Sequence, residues 1–147
     1  MLFADWLRVK KNKLRRAGTH VLRAMKRRHP RIIVSMTSYP ARINTVHLAI
    51  RSLLAQKVLP DKIVLWLCKS DFPNRETDLP QTLRDVLWHD VEIRWVNEDL
   101  KPHKKYFWAL QEFPDDYVIT TDDDLLYCNT MIGDLLAAHE AHPHAIA

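Results

Sequence analysis

Four short apolar runs, separated by stretches whose apolar residues recur every three or four positions, decide what this chain can build. Residues 31–36 (RIIVSM), 62–67 (KIVLWL), 91–96 (VEIRWV) and 117–121 (YVITT) read as strands. They are short and rich in β-branched residues, and Pro or Asp turn signals bound most of them. Between the first two, Ile43, Val46, Ile50, Leu53 and Leu54 trace one helical face over residues 43–56. Helices are also expected over 81–87, 103–113 and 130–139, with a polar, Pro-bounded loop over 70–80 and the entry to a further strand at 144–147. Strands that alternate with helices predict an α/β domain with a mainly parallel sheet. In such sheets, ligands bind outside the carboxyl ends of the strands. Three polar groups fall at those ends: Thr37-Ser38-Tyr39, Asn97-Glu98-Asp99 and Asp122-Asp123-Asp124.

Only two glycines, Gly18 and Gly133, occur in 147 residues. A glycine-rich phosphate cradle is therefore excluded, and any phosphate chemistry must rest on side chains and a metal. Charge is divided along the chain. Residues 1–30 carry ten Lys/Arg against one acid, whereas the remainder carries twelve against seventeen. The basic excess thus belongs to an N-terminal arm and not to the body at 31–147. Leu2, Phe3, Trp6, Leu7, Leu14, Val21, Leu22 and Met25 alternate with those bases in a partly amphipathic segment. It is suited either to plain solvation or to an anionic membrane surface. No uninterrupted apolar stretch follows the bases, so the arm does not read as a secretory signal, and no run of about 18 apolar residues would span a bilayer. The acidic body and the absence of stacking aromatics in the arm argue against nucleic acid. Cys68 and Cys128 form neither a disulfide framework nor a zinc site and are expected to be buried free thiols.

The Asp triplet carries the chemical signal. Three consecutive carboxylates after an apolar strand repel one another, and such a group needs solvent or a cation to stay ionised. If the backbone there is extended, Asp122 and Asp124 project to one side and offer hard oxygens to a shared Mg²⁺ or Mn²⁺. A diphosphate would complete the coordination. The alternative is an exposed acidic turn with no ligand.

Set in order along the chain, Ser35-Met36-Thr37-Ser38-Tyr39-Pro40-Ala41-Arg42, Leu59-Pro60-Asp61-Lys62-Ile63-Val64-Leu65-Trp66-Leu67 and Thr120-Thr121-Asp122-Asp123-Asp124-Leu125-Leu126-Tyr127 resemble a bacterial glycosyltransferase of the GT-A type. The resemblance is to the family-2-like sugar transferases of surface polysaccharide assembly, and it covers the chain from about residue 31 onward. It implies a GT-A fold, Rossmann-like, and transfer of a sugar from a nucleotide-sugar, UDP-linked, to a hydroxyl on a glycan or lipid-linked acceptor. On this resemblance Asp124 is the direct ligand of Mn²⁺ or Mg²⁺, and Asp122, the second metal-motif position, lies nearer the ribose or sugar. Asp123 falls with the donor contacts, and Thr37, Ser38, Tyr39 and Arg42 hold the base and ribose. Lys104 or Lys105 neutralises diphosphate, unless both belong to a solvated helix face. The expected location is cytoplasmic, with peripheral contact at the inner membrane face.

One family element is missing. Inverting members use a carboxylate base downstream of the metal motif, and Asp134 and Glu140 both fall in an expected helix as surface charges. The chain is accordingly expected to be the nucleotide-binding half of a longer enzyme or a truncated, non-catalytic donor-binding module. Other signals are weaker. His139-Glu140-Ala141-His142, even with His144, lacks the zinc-protease spacing. Leu126 stands where a D-x-D-x-[TV] phosphatase needs a small residue. Trp66, Trp88, Trp95 and Trp108 are expected to pack in the core or at its edges.

Overall fold

The computed structural model describes residues 30–87 and 90–143. The basic arm, Trp88 and the residues from His144 onward lie outside them. Four strands, β1 (Ile32–Thr37), β2 (Lys62–Cys68), β3 (Val91–Val96) and β4 (Tyr117–Thr120), form one sheet in the order β3-β2-β1-β4. Every pairing is parallel: Val34 faces Ile63 on one side and Ile119 on the other, and Leu65 faces Ile93. Four α-helices complete the described fold: α1 (Val46–Leu54), α2 (Gln81–Arg84), α3 (Lys104–Glu112) and α4 (Met131–Ala141).

The two central strands, β1 and β2, are apolar and buried along most of their length because both faces are covered, whereas the edge strand β3 carries Glu92 and Arg94. Ile32, Val34 and Met36 of β1, with Ile63, Leu65 and Leu67 of β2, pack against Val46, Ile50 and Leu53 of α1 and against Ile132 of α4. The alternate residues Ile33, Val64 and Trp66 face the other way, onto Ala109 of α3 and Phe113. All of these side chains are buried. Each fully buried residue of this size contributes roughly 1.5–3 kcal/mol, so the two layers hold the sheet rigid beneath the loops.

The observed elements follow the expected ones with shifted ends. α1 starts at Val46, three residues later than its apolar periodicity, because residues 40–45 form turns; Ile43 is buried all the same. The expected loop at 70–80 holds a 3-10 turn, Arg75–Asp78. The helix over 81–87 shortens to Gln81–Arg84. Cys68 is buried as expected, but Cys128 is exposed, since it lies in the loop between β4 and α4 and not in the core.

Two hydrogen-bond sets fix the connections that matter for the site. Ser35 donates to the Lys105 carbonyl and accepts from Trp66 Nε1 at 2.8 Å, which ties the start of α3 to the middle of β1. Gln56, buried after α1, donates to the Cys128 carbonyl at 2.6 Å and accepts from the Ile132 amide at 3.1 Å, holding the entry to α4. Among the described residues, no helix is long and apolar enough to cross a membrane.

Candidate functional site

The chain turns to opposite sides of β1 in forming β2 and β4, so the loops after β1 and β4 diverge and leave a crevice between them. A cleft of about 430 Å³ opens there. Its walls bring together Thr37, Ser38, Tyr39 and Arg42 from the β1 loop, Lys104 and Lys105 from α3, and Asp122 and Asp123 from the triplet. These segments are up to 86 residues apart in sequence (Thr37 to Asp123). Asp124 does not line the cleft itself but reaches it through Arg42.

β4 ends at Thr120, and Asp123 and Asp124 form a turn, so the alternation of an extended strand does not apply to the triplet. The three carboxylates have different surroundings. Asp123 is buried and accepts a 2.6 Å hydrogen bond from Ser38 Oγ and a 3.1 Å one from Arg42 Nη1. Asp124 is about half exposed and pairs with the same Arg42 nitrogen at 2.7 Å. Asp122, more exposed still, pairs with Lys105 Nζ at 2.5 Å. These contacts hold the Arg42 guanidinium above its ordinary value, the hydrogen bond to Asp123 first and then the charge of Asp124. Tyr127 grips Asp122 by its backbone: its hydroxyl accepts from the Asp122 amide at 2.6 Å and donates to the Asp122 carbonyl at 3.1 Å. Burial pushes the Tyr127 hydroxyl up, which keeps it protonated as a donor.

The far end of the cleft was not fully visible in the sequence. Lys104 is buried, not on a solvated face, and its ammonium meets Asp99 at 2.5 Å. Asp99 also pairs with Lys101 at 2.6 Å, and the Lys101 and Lys104 contacts hold its carboxyl down at about 2. Lys101 adopts a left-handed backbone with φ 53°. Asp71, just beyond β2, lines the same end. Its position past a strand's carboxyl end was the signal that could have singled it out.

Two places offer oxygen donors for a cation. Ligand atoms of Cys68, Asp71 and Asp99 lie within 4.8 Å of one another. Asp99 is held there by two ammonium groups, one of them on the buried Lys104, and Cys68 is a buried soft donor, so that cluster does not suit a hard divalent ion. Asp122 and Asp124 are exposed carboxylates, hard oxygen donors with one cationic side chain each, while Asp123 is taken up internally by Ser38 and Arg42. Asp134 and Glu140 are exposed on α4, and neither lines the cleft. Trp66 is buried in the core, and Trp95 packs edge-on to Phe72 at 6.0 Å, as packing roles require.

No protein-family model and no curated protein matches this chain. Its fold is similar to that in the crystal structure of S. aureus TarS 1–349, a GT-A-like glycosyltransferase, with a TM-score of 0.56 and 17% identity. The match covers 77% of this chain and 33% of that one, so the chain spans about a third of the length of its structural relative. The parallel sheet between helices is thus a Rossmann-like α/β fold similar to the one in that structure.

Proposed function

We propose that this chain binds the donor of a metal-dependent glycosyltransferase, a UDP-linked sugar whose glycosyl group passes to a hydroxyl of a glycan or lipid-linked acceptor. The observation that carries the reading is the meeting of the β1 loop and the Asp triplet across a crevice at the strand ends, on a fold like that of TarS. Ser38 and Arg42 fix the turn of the triplet from the opposite wall, so that Asp122 and Asp124 stay at the mouth. Asp124, with Asp122, would hold Mn²⁺ or Mg²⁺. Held there, such an ion supplies Lewis-acid stabilisation of the departing diphosphate. Tyr39, half exposed on the rim, offers a ring face to the base, and Thr37 lines the same wall near the ribose. Lys105 and Arg42 supply positive charge for the diphosphate. Residues 1–30 bring the domain to an anionic membrane surface on the cytoplasmic side.

A second reading is a module that binds donor without completing transfer. It is favoured by the placement of Asp134 and Glu140 on an exposed helix away from the cleft, so that neither supplies a base there. Calorimetry with UDP and Mn²⁺, followed by an assay of donor hydrolysis and transfer, separates the two. Binding with turnover that Asp124→Asn abolishes supports the enzyme, and binding without turnover supports the module. If neither Mn²⁺ nor UDP binds, both readings fall and the triplet is an acidic turn.

A further inference from the structure

Every carboxylate of the triplet is already countered by a side chain of this protein. Arg42 Nη1 bridges Asp123 and Asp124 at 3.1 and 2.7 Å, and Lys105 Nζ sits 2.5 Å from Asp122. These partners are not equally committed. Asp123 is buried and has a second donor in Ser38. For the Asp124 carboxylate, Arg42 is the ion-pair partner among the described residues. The Arg42 side chain is 43% exposed, and its guanidinium lies 5.7 Å from the Tyr39 ring centre, on the cleft rim. It therefore has open space to turn into, on the wall where a nucleotide would lie.

Resting on the donor-binding reading above, we propose that Arg42 and Lys105 are exchangeable counter-charges. They neutralise Asp124 and Asp122 in the empty cleft and yield them when a divalent cation enters. Both then turn to the diphosphate. The same two charges thus oppose the cation when it comes alone and favour the anion that comes with it. Cation and nucleoside diphosphate are thereby linked through the protein, beyond any direct contact between them, and the linkage is reciprocal.

This predicts a gain of binding on removal of a site residue. Uptake of Mn²⁺ is read from the free-ion electron paramagnetic resonance signal, with and without UDP. In Arg42→Gln, Mn²⁺ affinity without UDP rises about tenfold, as expected for loss of a unit charge at ion-pair range of a solvent-exposed divalent site. UDP affinity at saturating Mn²⁺ falls, and the linkage between the two ligands shrinks. Arg42→Lys, which keeps the charge but not the bridging guanidinium, should leave Mn²⁺ affinity without UDP close to that of the unaltered protein and well below that of Arg42→Gln. Lys105→Gln shifts Mn²⁺ binding in the same direction as Arg42→Gln and serves as the independent variant should the latter fold poorly. If the unaltered protein binds Mn²⁺ with UDP but neither Gln variant binds Mn²⁺ alone more tightly, counter-charge exchange is wrong and the donor reading survives. If the unaltered protein takes up no Mn²⁺ even with UDP, both are wrong.

Discussion

Three adjacent aspartates with three different surroundings should respond differently to the same substitution. Asp123 is the buried one, and its 2.6 Å bond from Ser38 Oγ is the strongest contact that a neutral side chain makes with the triplet carboxylates. A hydrogen bond to a charged acceptor contributes about 1.5–3 kcal/mol. Truncation also leaves the buried Ser38 hydroxyl searching for a new partner, and the relief of desolvating a carboxylate offsets part of the loss. The net expectation for Asp123→Ala is a destabilisation of about 2 kcal/mol. For a domain of this size that lowers Tm by roughly 8 °C. Asp124→Asn removes only a solvent-exposed pair and should move Tm by no more than about 2 °C. Metal uptake should show the opposite order: Asp124→Asn loses Mn²⁺ binding, whereas Asp123→Asn, which keeps shape and an acceptor for Ser38, retains most of it. Thermal unfolding followed by circular dichroism gives the first readout and manganese titration the second. A Ser38→Ala, Asp123→Ala double-mutant cycle isolates the shared bond, with a coupling of about 1–2 kcal/mol expected. Equal melting of Asp123→Ala and the unaltered protein, or an equal drop for Asp124→Asn, would show that the triplet is not divided into a structural pin and two exposed carboxylates.

Three further outcomes are expected. Tyr127→Phe removes both hydroxyl bonds to the Asp122 backbone, so Mn²⁺ affinity should weaken several-fold while the sheet melts nearly unchanged; an unaltered manganese titration would refute the clamp. Because Asp99 is held below its ordinary 3.8, at about 2, its contribution to stability is complete above pH 4 and is lost as the pH falls toward 2. In urea unfolding at pH 5 and pH 2.5, Asp99→Asn should therefore lose less stability between the two than the unaltered protein does. Leu65→Ala, at the fully buried centre of β2, should cost about 2–5 kcal/mol with little change in donor affinity per folded molecule, measured by urea midpoint and calorimetry.

Local pattern and tertiary pairing divide what could be read beforehand. Residues 91–96 are recovered to the residue as β3 from their alternation, and residues 62–67 fall short of β2 by one, because an alternating or continuous apolar run bounded by turns leaves few alternatives. The parallel order followed from the alternation of elements alone. The onset of α1 was misplaced because Ile43 has the right apolar phase for the helix but reaches the core from a turn. At the site, the clustering of Thr37, Ser38, Tyr39, Arg42, Lys104, Lys105, Asp122 and Asp123 around one cleft was anticipated from strand ends and family resemblance. The internal placement of Asp123 was not. It depends on Ser38 reaching across 85 positions of sequence, and no local spacing encodes that reach. The same holds for Lys104, whose burial is intelligible only beside Asp99.

The left-handed lysine at position 101 carries a lesson for anyone seeking to harden this domain against heat. Backbone in that region suits glycine, and a chain so sparing of that residue has put a long cationic side chain there instead, steadied by its neighbour two places back. Lys101→Gly is therefore the sort of relaxation that a thermostability screen would select. The same change would strip a positive group from the rim of the crevice. If the crevice takes an anionic donor as proposed, ruggedness and ligand capture would pull in opposite directions at this one corner.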